Sequence, residues 1–397
     1  MVSLDDRRAY LAGVIERLYA QAFAPESFPG GENVVTQPED AAFVLSRPDL
    51  FEKDYGLIDL LGRSRFNDNG ESWRMRRALT QPSYVAAARE PLAARVASAF
   101  DEALDAVERP QASAVNSACL RASVVVFLRA LGCDSDPSRF VSHLSGLRDL
   151  VVDLQYFTFV RPSEPVMESL RRRSRDAIDA FVELMREDES SEALLAHISR
   201  GLGDPSLRAG AQELVMAMFA AVEEVSAAMA WLVDRFGVNE RAQARLHAEA
   251  MQEGSEKPFI DGFINETLRY FPTIPLIARR AAKATEIRGR RMAEGQQVVI
   301  SIVALHQNKR TWRDPQVFDS ARSEFLNDDY DRNSFLPFLQ GPRACGGMRL
   351  AQLQLKAAAV AMLRRFHFTN PAAAIAVQYI LAVRPASDAG IIVQRCA

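Results

Sequence analysis

The sequence predicts a mainly α-helical protein with a small β-rich part towards its C-terminal end. Ala, Leu, Arg, Glu and Val recur at helical spacing from residue 85 to about residue 250. The stretch 207–236 is long enough for a single helix of roughly 45 Å. After Pro272 the pattern changes to short β-branched runs. With 397 residues, 48% of them hydrophobic, the chain is globular and can bury a sizeable core.

The helical and the β candidates occupy different parts of the sequence. Proline stands at the first position of two helices, where its missing N–H costs no hydrogen bond, and Gly237 ends the longest one. We predict helices over 91–107, 120–131, 165–186 and 207–236. We predict strands over 274–280, 285–288, 297–302, 382–384 and 391–393. The polar stretch 308–340 is too long for an ordinary connection, so we predict a functional loop there.

Charge, cysteine spacing and hydropathy exclude several classes of protein. Lys and Arg number 48 and Asp and Glu 51, a formal charge of -3, which disfavours nucleic acid and anionic membranes as partners. The four cysteines are too scattered for a disulfide scaffold or a zinc ribbon. The N-terminus lacks an export-signal pattern, and the apolar run 214–222 stops at Glu223. We therefore predict a cytoplasmic protein with no membrane contact.

The most informative segment surrounds one cysteine. Cys345 lies in a loop with three glycines, directly before a helix-like apolar pattern. A helix N-terminus and the nearby Arg343 both favour the thiolate, which is the form of cysteine that binds a metal. Glycines let the backbone approach a flat ligand closely. These residues leave two interpretations open, a metal-binding thiolate beside a planar group or a buried, inert cysteine in a glycine-rich turn.

The residues of this loop are similar to the haem-binding loop of the cytochrome P450 superfamily. The matching positions are Phe338, Gly341, Arg343, Cys345 and Gly347. The resemblance implies the P450 fold as a single catalytic domain over 1–397, with a long central helix over haem. It implies that Cys345 is the axial ligand of haem iron, that Phe338 packs near the sulfur, and that Arg343 pairs with a haem propionate.

Two charged residues one helical turn apart give a second point of resemblance. Glu266 and Arg269 share one face of a helix and can pair. In the family such a pair is buried and is completed by an arginine of a later loop, a position that Arg322 matches here. The resemblance implies a structural triad that supports the cysteine loop, since a buried charge must be paired.

Further matches lie at the expected haem edge. Trp73 and Arg77 resemble the family's tryptophan and arginine that donate to a propionate. Arg279 matches another propionate arginine, with Arg280 as a near-equal alternative. His306 also matches a family position on the cofactor side, although a hydrogen-bonded structural histidine is an equal alternative.

The central helix departs from the family. Aligning its small pair with Ala220 and Ala221 places Glu223 at the usual acidic position and Glu224 where a threonine is expected. Adjacent helical residues point about 100° apart, so only one carboxylate can face the haem. Both are candidate catalytic residues for proton transfer, and we expect Glu224 to be the one that faces the haem, with a pKa raised by desolvation. The alternative is that both carboxylates pair with arginines elsewhere.

The resemblance also implies where an organic substrate binds. The expected positions lie on the central helix, after Pro272, and in two loops: Val222, Ser226, Ile274, Leu276, the segment 57–61 and the turn near Ser387. These assignments follow from sequence order in the family.

The expected function is monooxygenation of a small organic molecule or natural product in specialised metabolism. A separate ferredoxin or flavodoxin with its reductase would then supply electrons near Cys345, where Arg349 and Lys356 are candidate docking cations. Because Glu224 replaces the threonine, three alternatives stay open. They are a peroxygenase driven by hydrogen peroxide, a haem-thiolate isomerase or dehydratase, and a haem protein without catalysis.

Overall fold

The computed structural model describes residues 2–20, 33–89, 92–371, 376–386 and 390–396. Fifteen α-helices are described within these ranges: α1 (Leu4–Ala20), α2 (Pro38–Ser46), α3 (Gly70–Ala87), α4 (Leu92–Asp105), α5 (Ala112–Ala130), α6 (Pro137–Phe159), α7 (Glu164–Arg186), α8 (Glu189–Gly201), α9 (Arg208–Met218), α10 (Glu224–Phe236), α11 (Glu240–Met251), α12 (Pro258–Tyr270), α13 (Ile302–His306), α14 (Ser323–Leu326) and α15 (Met348–Arg365). A 3-10 helix spans Gly56–Leu61, and a π-helical turn, Phe219–Glu223, joins α9 to α10.

The strands of the described residues form one four-stranded sheet and three two-stranded sheets. Their bounds are β1 (Val34–Val35), β2 (Phe51–Lys53), β3 (Leu276–Ala281), β4 (Thr285–Ile287), β5 (Arg290–Met292), β6 (Gln297–Ser301), β7 (Phe366–Thr369), β8 (Val377–Ile380), β9 (Ala382–Pro385) and β10 (Ile392–Arg395). The larger sheet has the order β1-β6-β3-β2, in which β1 and β6 are parallel and the other pairs antiparallel. The small sheets pair β7 with β10, β4 with β5, and β8 with β9.

The mainly helical fold with a small β-rich part is confirmed. The predicted helix 207–236 is the continuous segment α9, π-helical turn and α10, which we call the central helix (Arg208–Phe236). The predicted helix 91–107 corresponds to α4, although Pro91 itself lies outside the described residues. Helix α6 was missed, even though Asp136 caps it and Pro137 stands at its first turn. Strands β1, β2, β5, β7 and β8, each two to four residues long, were not predicted.

The central helix runs through the largest buried cluster of the protein. It packs against α5 on one side and against β9, α12 and α15 on others. Trp231 of α10 is fully buried, stacks on Phe271 at 4.0 Å between ring centroids, and donates its Nε1–H to Val383 O at 2.9 Å. These contacts fix the helix between the helical body and the small sheets, so its middle turns lie over the loop before α15.

Among the residues that the structure describes, two helices are long and apolar enough to cross a membrane by length and composition alone. They are Ala112–Ala130 and Arg208–Phe236. The second helix is longer than the apolar run 214–222 of the sequence. Its mean hydropathy stays high because apolar residues stand on both sides of Glu223 and Glu224. Of the most apolar stretch of each helix, 56% of the first and 83% of the second is buried inside the protein, as in core helices.

Candidate active site

A cavity of about 500 Å³ separates the cysteine loop from the central helix. Cys345 and the residues around it line one side. Ala220, Ala221 and Glu224 of the central helix line the other. Strand β3 and the segment before it, the β8–β9 turn, helix α6 and the stretch 53–58 close the remaining walls. The sequence-predicted cysteine and the predicted distal carboxylate therefore face one shared space.

Local geometry explains why the cysteine loop needs its glycines. The Cys345 N–H donates to Phe338 O at 2.9 Å, which folds the loop back on itself. Gly341 has a φ of +75°, and a Cβ there would lie 2.5 Å from Leu45 O. Only glycine satisfies both conditions. Gly347 is the residue before α15, so the thiol lies at the N-terminus of that helix.

The ionisation of Cys345 differs from the sequence-based expectation. Burial raises the pKa of this thiol above its ordinary value, and a hydrogen bond from the Gly347 N–H lowers it in part. The cations that act on it most are Lys53 and Arg65, whereas the sequence pointed to Arg343. The reason is that Arg343 is turned towards the Trp73 ring, 4.2 Å from its centroid, and donates to Asp68 O at 2.6 Å.

Unpaired cations are concentrated on one wall of the cavity. Lys53, Arg279 and Arg343 lie close enough that each arginine lowers the pKa of Lys53, after the larger effect of burial. Burial also lowers the pKa of Arg279, and it lowers that of Arg343 to about 10. In the described part of the chain none of the three has a carboxylate within ion-pair distance.

This wall fits an anionic group such as the haem propionates. Arg279 Nη2 and Arg343 Nε are buried and have no hydrogen-bond partner. Burying a charge without a counter-charge is energetically costly. An anion with several acceptor oxygens would accept hydrogen bonds from both nitrogens and would balance the positive charge of the wall. Trp73 and Arg77 line the same cavity, with the guanidinium 5.4 Å from the centre of the indole ring.

The structure separates the two arginine alternatives of β3. Arg280 is exposed and donates to Asp54 at 2.5 Å and to Gly295 O at 2.9 Å. Arg279 is 2% exposed and keeps one free nitrogen. Alternation along the strand places them on opposite faces. Of the two, only Arg279 is placed to meet a propionate.

We expect Arg279→Leu to weaken haem retention by about 10- to 100-fold, the loss typical of a charge-assisted hydrogen bond. The measurement is the rate of haem transfer to excess apomyoglobin. Arg280→Leu is the matched control on the neighbouring residue and should leave that rate within about twofold, since its ion pair is exposed. Equal transfer rates for the two variants would contradict this assignment.

The predicted triad is formed and completely buried. Glu266 accepts from Arg269 at 2.7 and 2.8 Å and from Arg322 at 2.7 Å. The two arginines also donate to backbone carbonyls of the 308–340 loop, including Pro315 O and Val317 O. The three side chains are 0%, 0% and 2% exposed. The triad thus ties α12 to the loop that leads to Cys345.

The assignment of His306 to the cofactor is wrong in this geometry. Its Nδ1 is 3.2 Å from Arg269 O, and its Nε2 accepts the Leu336 N–H at 2.8 Å. Both ring nitrogens are used, and burial lowers the pKa of the imidazole to about 3. His306 is therefore a neutral structural residue that joins the end of α12 to the segment before Phe338.

Glu224 faces the cavity from the start of α10. Its Oε2 accepts the Thr273 hydroxyl at 3.1 Å. Burial away from solvent raises the pKa of the carboxyl to about 8, an effect that the Thr273 hydrogen bond reduces and that Glu223 increases. The side chain is half-buried because its accessible part opens into the cavity. A protonated carboxylic acid is therefore the main form of Glu224 at neutral pH.

Glu223 does not share this role, which corrects its assignment as a proton-transfer residue. It is fully buried and accepts from Arg148 at 2.8 and 3.0 Å and from Arg384 at 2.6 Å. Both carboxylate oxygens are occupied by arginine donors, and Glu223 is not among the described residues that line the cavity. It fixes the π-helical turn to α6 and β9, and π-helical turns often mark functional sites.

The predicted substrate residues divide into two groups. Ile274 and Leu276 line the cavity, as does Ile58 of the 57–61 segment. Val222 and Ser226 lie on the opposite side of the central helix, where Ser226 donates to Glu223 O at 3.0 Å. The π-helical turn and the 100° step between successive residues explain why Val222 and Ser226 point away from the cavity while Glu224 faces it. The turn near Ser387 falls outside the described residues.

Sequence reasoning missed several polar residues of the cavity. They are Lys53, Tyr55, Arg65, Gln155, Thr273 and Tyr379. Each comes from a different loop or element and belongs to none of the motifs that were recognised. Thr273 had a weak signal, because it follows Pro272 in the segment that was expected to contact substrate.

Comparison with known proteins agrees with the fold and the cavity. The model of the cytochrome P450 family matches residues 32–381. A probable cytochrome P450 4s3 of Drosophila melanogaster is 25% identical over 388 residues, covering 84% of this chain and 77% of the relative. Human cytochrome P450 3A5 is 30% identical over 199 residues, which are 47% of this chain and 39% of the relative's length.

The solved structures show the same architecture. A zebra fish cytochrome P450 determined with progesterone superposes with a TM-score of 0.74 at 21% identity, covering 91% of this chain and 93% of that one. A helical body whose central helix faces a cysteine loop across a cation-lined cavity fits a haem-thiolate protein. The chain belongs to the cytochrome P450 family, whose characteristic cofactor is haem and whose members oxidise small organic substrates with redox partners.

Proposed function

We propose that the protein is a monooxygenase in which Glu224 delivers protons on the distal side of haem. In such a reaction one atom of dioxygen enters the substrate. The other leaves as water with two protons, and a separate partner supplies two electrons. The observation that carries the proposal is the placement of the Glu224 carboxyl in the cavity, opposite Cys345 and in place of the usual threonine.

Haem held by Cys345 would supply the activation of oxygen, and thiolate ligation favours cleavage of the O–O bond. The chain's own residues account for the other requirements. Arg279, Arg343 and Trp73 are placed to hold the propionates, and apolar residues such as Ile274 and Leu276 exclude water around the substrate.

Glu224 has the properties of a general acid. Its carboxyl is mainly protonated at pH 7, because burial raises its pKa to about 8. The Thr273 hydroxyl donates to Oε2, which leaves Oε1 of this cavity-lining side chain available for proton donation. A group with a pKa near the working pH is best suited to donate a proton and recover it.

The same carboxyl supports a peroxygenase as the second candidate. There the ionised Glu224 accepts a proton from hydrogen peroxide, and the carboxylic acid then returns it to the departing oxygen as water forms. Substrate and hydrogen peroxide give oxidised substrate and water, with no electron donor. The two candidates require opposite starting protonation states of one residue, and this distinguishes them.

Glu224→Gln is expected to slow the reductase-driven oxidation of styrene by about 10²- to 10⁴-fold, the usual contribution of a general acid. In the unchanged protein the rate should fall as the pH rises through about 8, because the carboxyl then ionises. Glutamine cannot donate an acidic proton, so the variant's rate should be flat between pH 6 and 9. Styrene oxide formation, driven by NADPH with a surrogate ferredoxin and reductase, measures both rates.

The matched experiment replaces the electron donors by hydrogen peroxide. A peroxide-driven rate that rises through pH 8 and exceeds the reductase-driven rate would overturn the monooxygenase in favour of the peroxygenase. Reduction of the haem by the surrogate system is verified first with the carbon monoxide spectrum. A rate without a change near pH 8 in both systems would contradict any proton transfer by Glu224.

The electron partner is proposed to be a separate ferredoxin or flavodoxin that docks near the cysteine loop. Arg349 is exposed at the start of α15 and is available to an acidic partner. Lys356, the other candidate cation, pairs with Asp261 at 2.7 Å, so its charge is already balanced.

We also infer a single catalytic domain, because one buried cluster joins side chains from Leu11 to Val393. The cytoplasmic location stays a prediction.

A further inference from the structure

An arginine lies directly against the backbone beside Cys345. Gly346 has no side chain, and a Cβ at this position would clash with the guanidinium of Arg65 and lie 2.7 Å from Gln81 Oε1. Glycine therefore leaves the space that the guanidinium occupies. Arg65, Gln81 and Gly346 all line the cavity together with Cys345. A cation is thus packed on the residue next to the expected iron ligand.

Hydrogen bonds fix the guanidinium at this position. Arg65 Nη2 donates to Gln81 Oε1 at 2.6 Å, and Nη1 donates to Thr80 Oγ1 at 3.0 Å. Gln81 in turn donates from Nε2 to Gly346 O at 2.9 Å. The centre of the guanidinium also lies 5.3 Å from the ring centroid of Tyr84, which is on α3 with Thr80 and Gln81. These bonds form a chain from Arg65 through α3 to the cysteine loop.

In the described part of the structure, the guanidinium of Arg65 has no carboxylate within ion-pair distance. Thr80 and Gln81, which hold its two terminal nitrogens, are neutral. Glu213 of the central helix accepts the backbone N–H of Arg65 at 2.9 and 3.1 Å, and its own charge pairs with Arg76. A half-buried cation acts on a nearby anion more strongly than an exposed one, because less water screens it. The charge of Arg65 is therefore available to the anionic sulfur of the cysteine loop.

Arg65 and the thiol of Cys345 interact electrostatically. Burial raises the pKa of the thiol and lowers the pKa of the guanidinium, and the attraction between the two groups opposes both changes. Lys53 acts on the thiol in the same direction, but it lies with Arg279 and Arg343 in the wall that fits the propionates. Once propionates balance the charge of that wall, Arg65 still acts on the sulfur.

We propose that Arg65 is a positioning residue for the haem thiolate, which holds the cysteine loop through Gln81 and balances part of the negative charge on the Cys345 sulfur. A cation beside the sulfur favours the reduced haem, because reduction adds an electron to a group that already has a negative ligand. The chain of hydrogen bonds keeps the sulfur in place relative to the iron. This role is independent of Glu224 and of the oxidant, because it concerns the cysteine side of the haem. It rests on haem binding by Cys345, which Cys345→His tests separately.

The test compares Arg65→Met with Arg63→Met in the full-length haem-loaded protein. Both changes remove one arginine from the segment before α3, but Arg63 is exposed and pairs with Asp59 at 3.1 Å. Potentiometric titration without substrate measures the reduction potential of the haem, and the carbon monoxide spectrum measures how long the thiolate-type band persists. We expect Arg65→Met to shift the potential to more negative values, by about tenfold in the ratio of reduced to oxidised haem, and to lose the band about three- to tenfold faster. Arg63→Met should change neither.

Two further variants separate the charge of Arg65 from its hydrogen bonds. Arg65→Lys keeps the charge and should restore the potential, whereas Gln81→Met cuts the link to Gly346 and should shorten the life of the band with the potential nearly unchanged. An unchanged potential in Arg65→Met at full haem content, or a band in Gln81→Met as persistent as in the unchanged protein, would overturn the inference. So would a potential in Arg65→Lys as low as in Arg65→Met. Faster haem transfer to apomyoglobin with an unchanged potential would assign Arg65 to a propionate instead.

Discussion

Cys345→His is expected to abolish the red-shifted Soret band that a reduced haem-thiolate protein gives with carbon monoxide. Oxidation of styrene by either route should fall below detection in the same variant. Cys345 faces the cavity from the N-terminus of α15 and is the one cysteine among the described lining residues. A histidine at this position provides a neutral nitrogen ligand, which lacks the electron donation of sulfur to iron.

The choice of histidine separates loss of the ligand from loss of haem. Imidazole can hold iron, so the variant should still contain haem by pyridine haemochrome assay while its carbon monoxide spectrum changes. Cys396→Ser is the control, because Cys396 follows β10 and its N–H bonds Arg365 O at 2.8 Å, away from the cavity. A thiolate-type band that persists in Cys345→His would exclude Cys345 as the ligand.

Local patterns in the sequence predicted the parts of the site that short segments define. The loop around Cys345 requires glycine at position 341, where φ is positive and the backbone lies close to Leu45. A requirement of this kind can be read from the residue type alone. The spacing of Glu266 and Arg269 places both on one helix face, which the sequence also shows. These features depend on a few neighbouring residues, so they can be predicted from the sequence without knowledge of the tertiary structure.

Features that depend on long-range pairing were not visible. Lys53 reaches the cationic wall because β2 pairs with β3, a contact between residues more than 220 positions apart. The alternating sides of β3 decide between Arg279 and Arg280, and the sequence does not state which side faces inwards. The separate roles of Glu223 and Glu224 likewise depend on Arg148 and Arg384.

Arg269→Ala is expected to lower the free energy of unfolding by about 3–5 kcal/mol, the usual cost of leaving one partner of a buried ion pair alone. Glu266 would remain fully buried and would keep Arg322 as its one charged partner. In addition, His306 O, Pro315 O and Val317 O would each lose a donor. Equilibrium unfolding in urea, followed by far-ultraviolet circular dichroism, measures the change.

The location of the triad also predicts the order of events on unfolding. Arg269 donates to backbone carbonyls of the 308–340 loop, and Cys345 follows that loop directly. Without this arginine the loop should therefore unfold before the helical body does. In Arg269→Ala the thiolate-type carbon monoxide band should therefore be lost at a lower urea concentration than the helical signal. Arg186→Ala removes an exposed pair with Glu183 and should change the free energy of unfolding by less than about 1 kcal/mol. Equal urea midpoints of unfolding for Arg269→Ala and Arg186→Ala would show that the triad does not stabilise the fold.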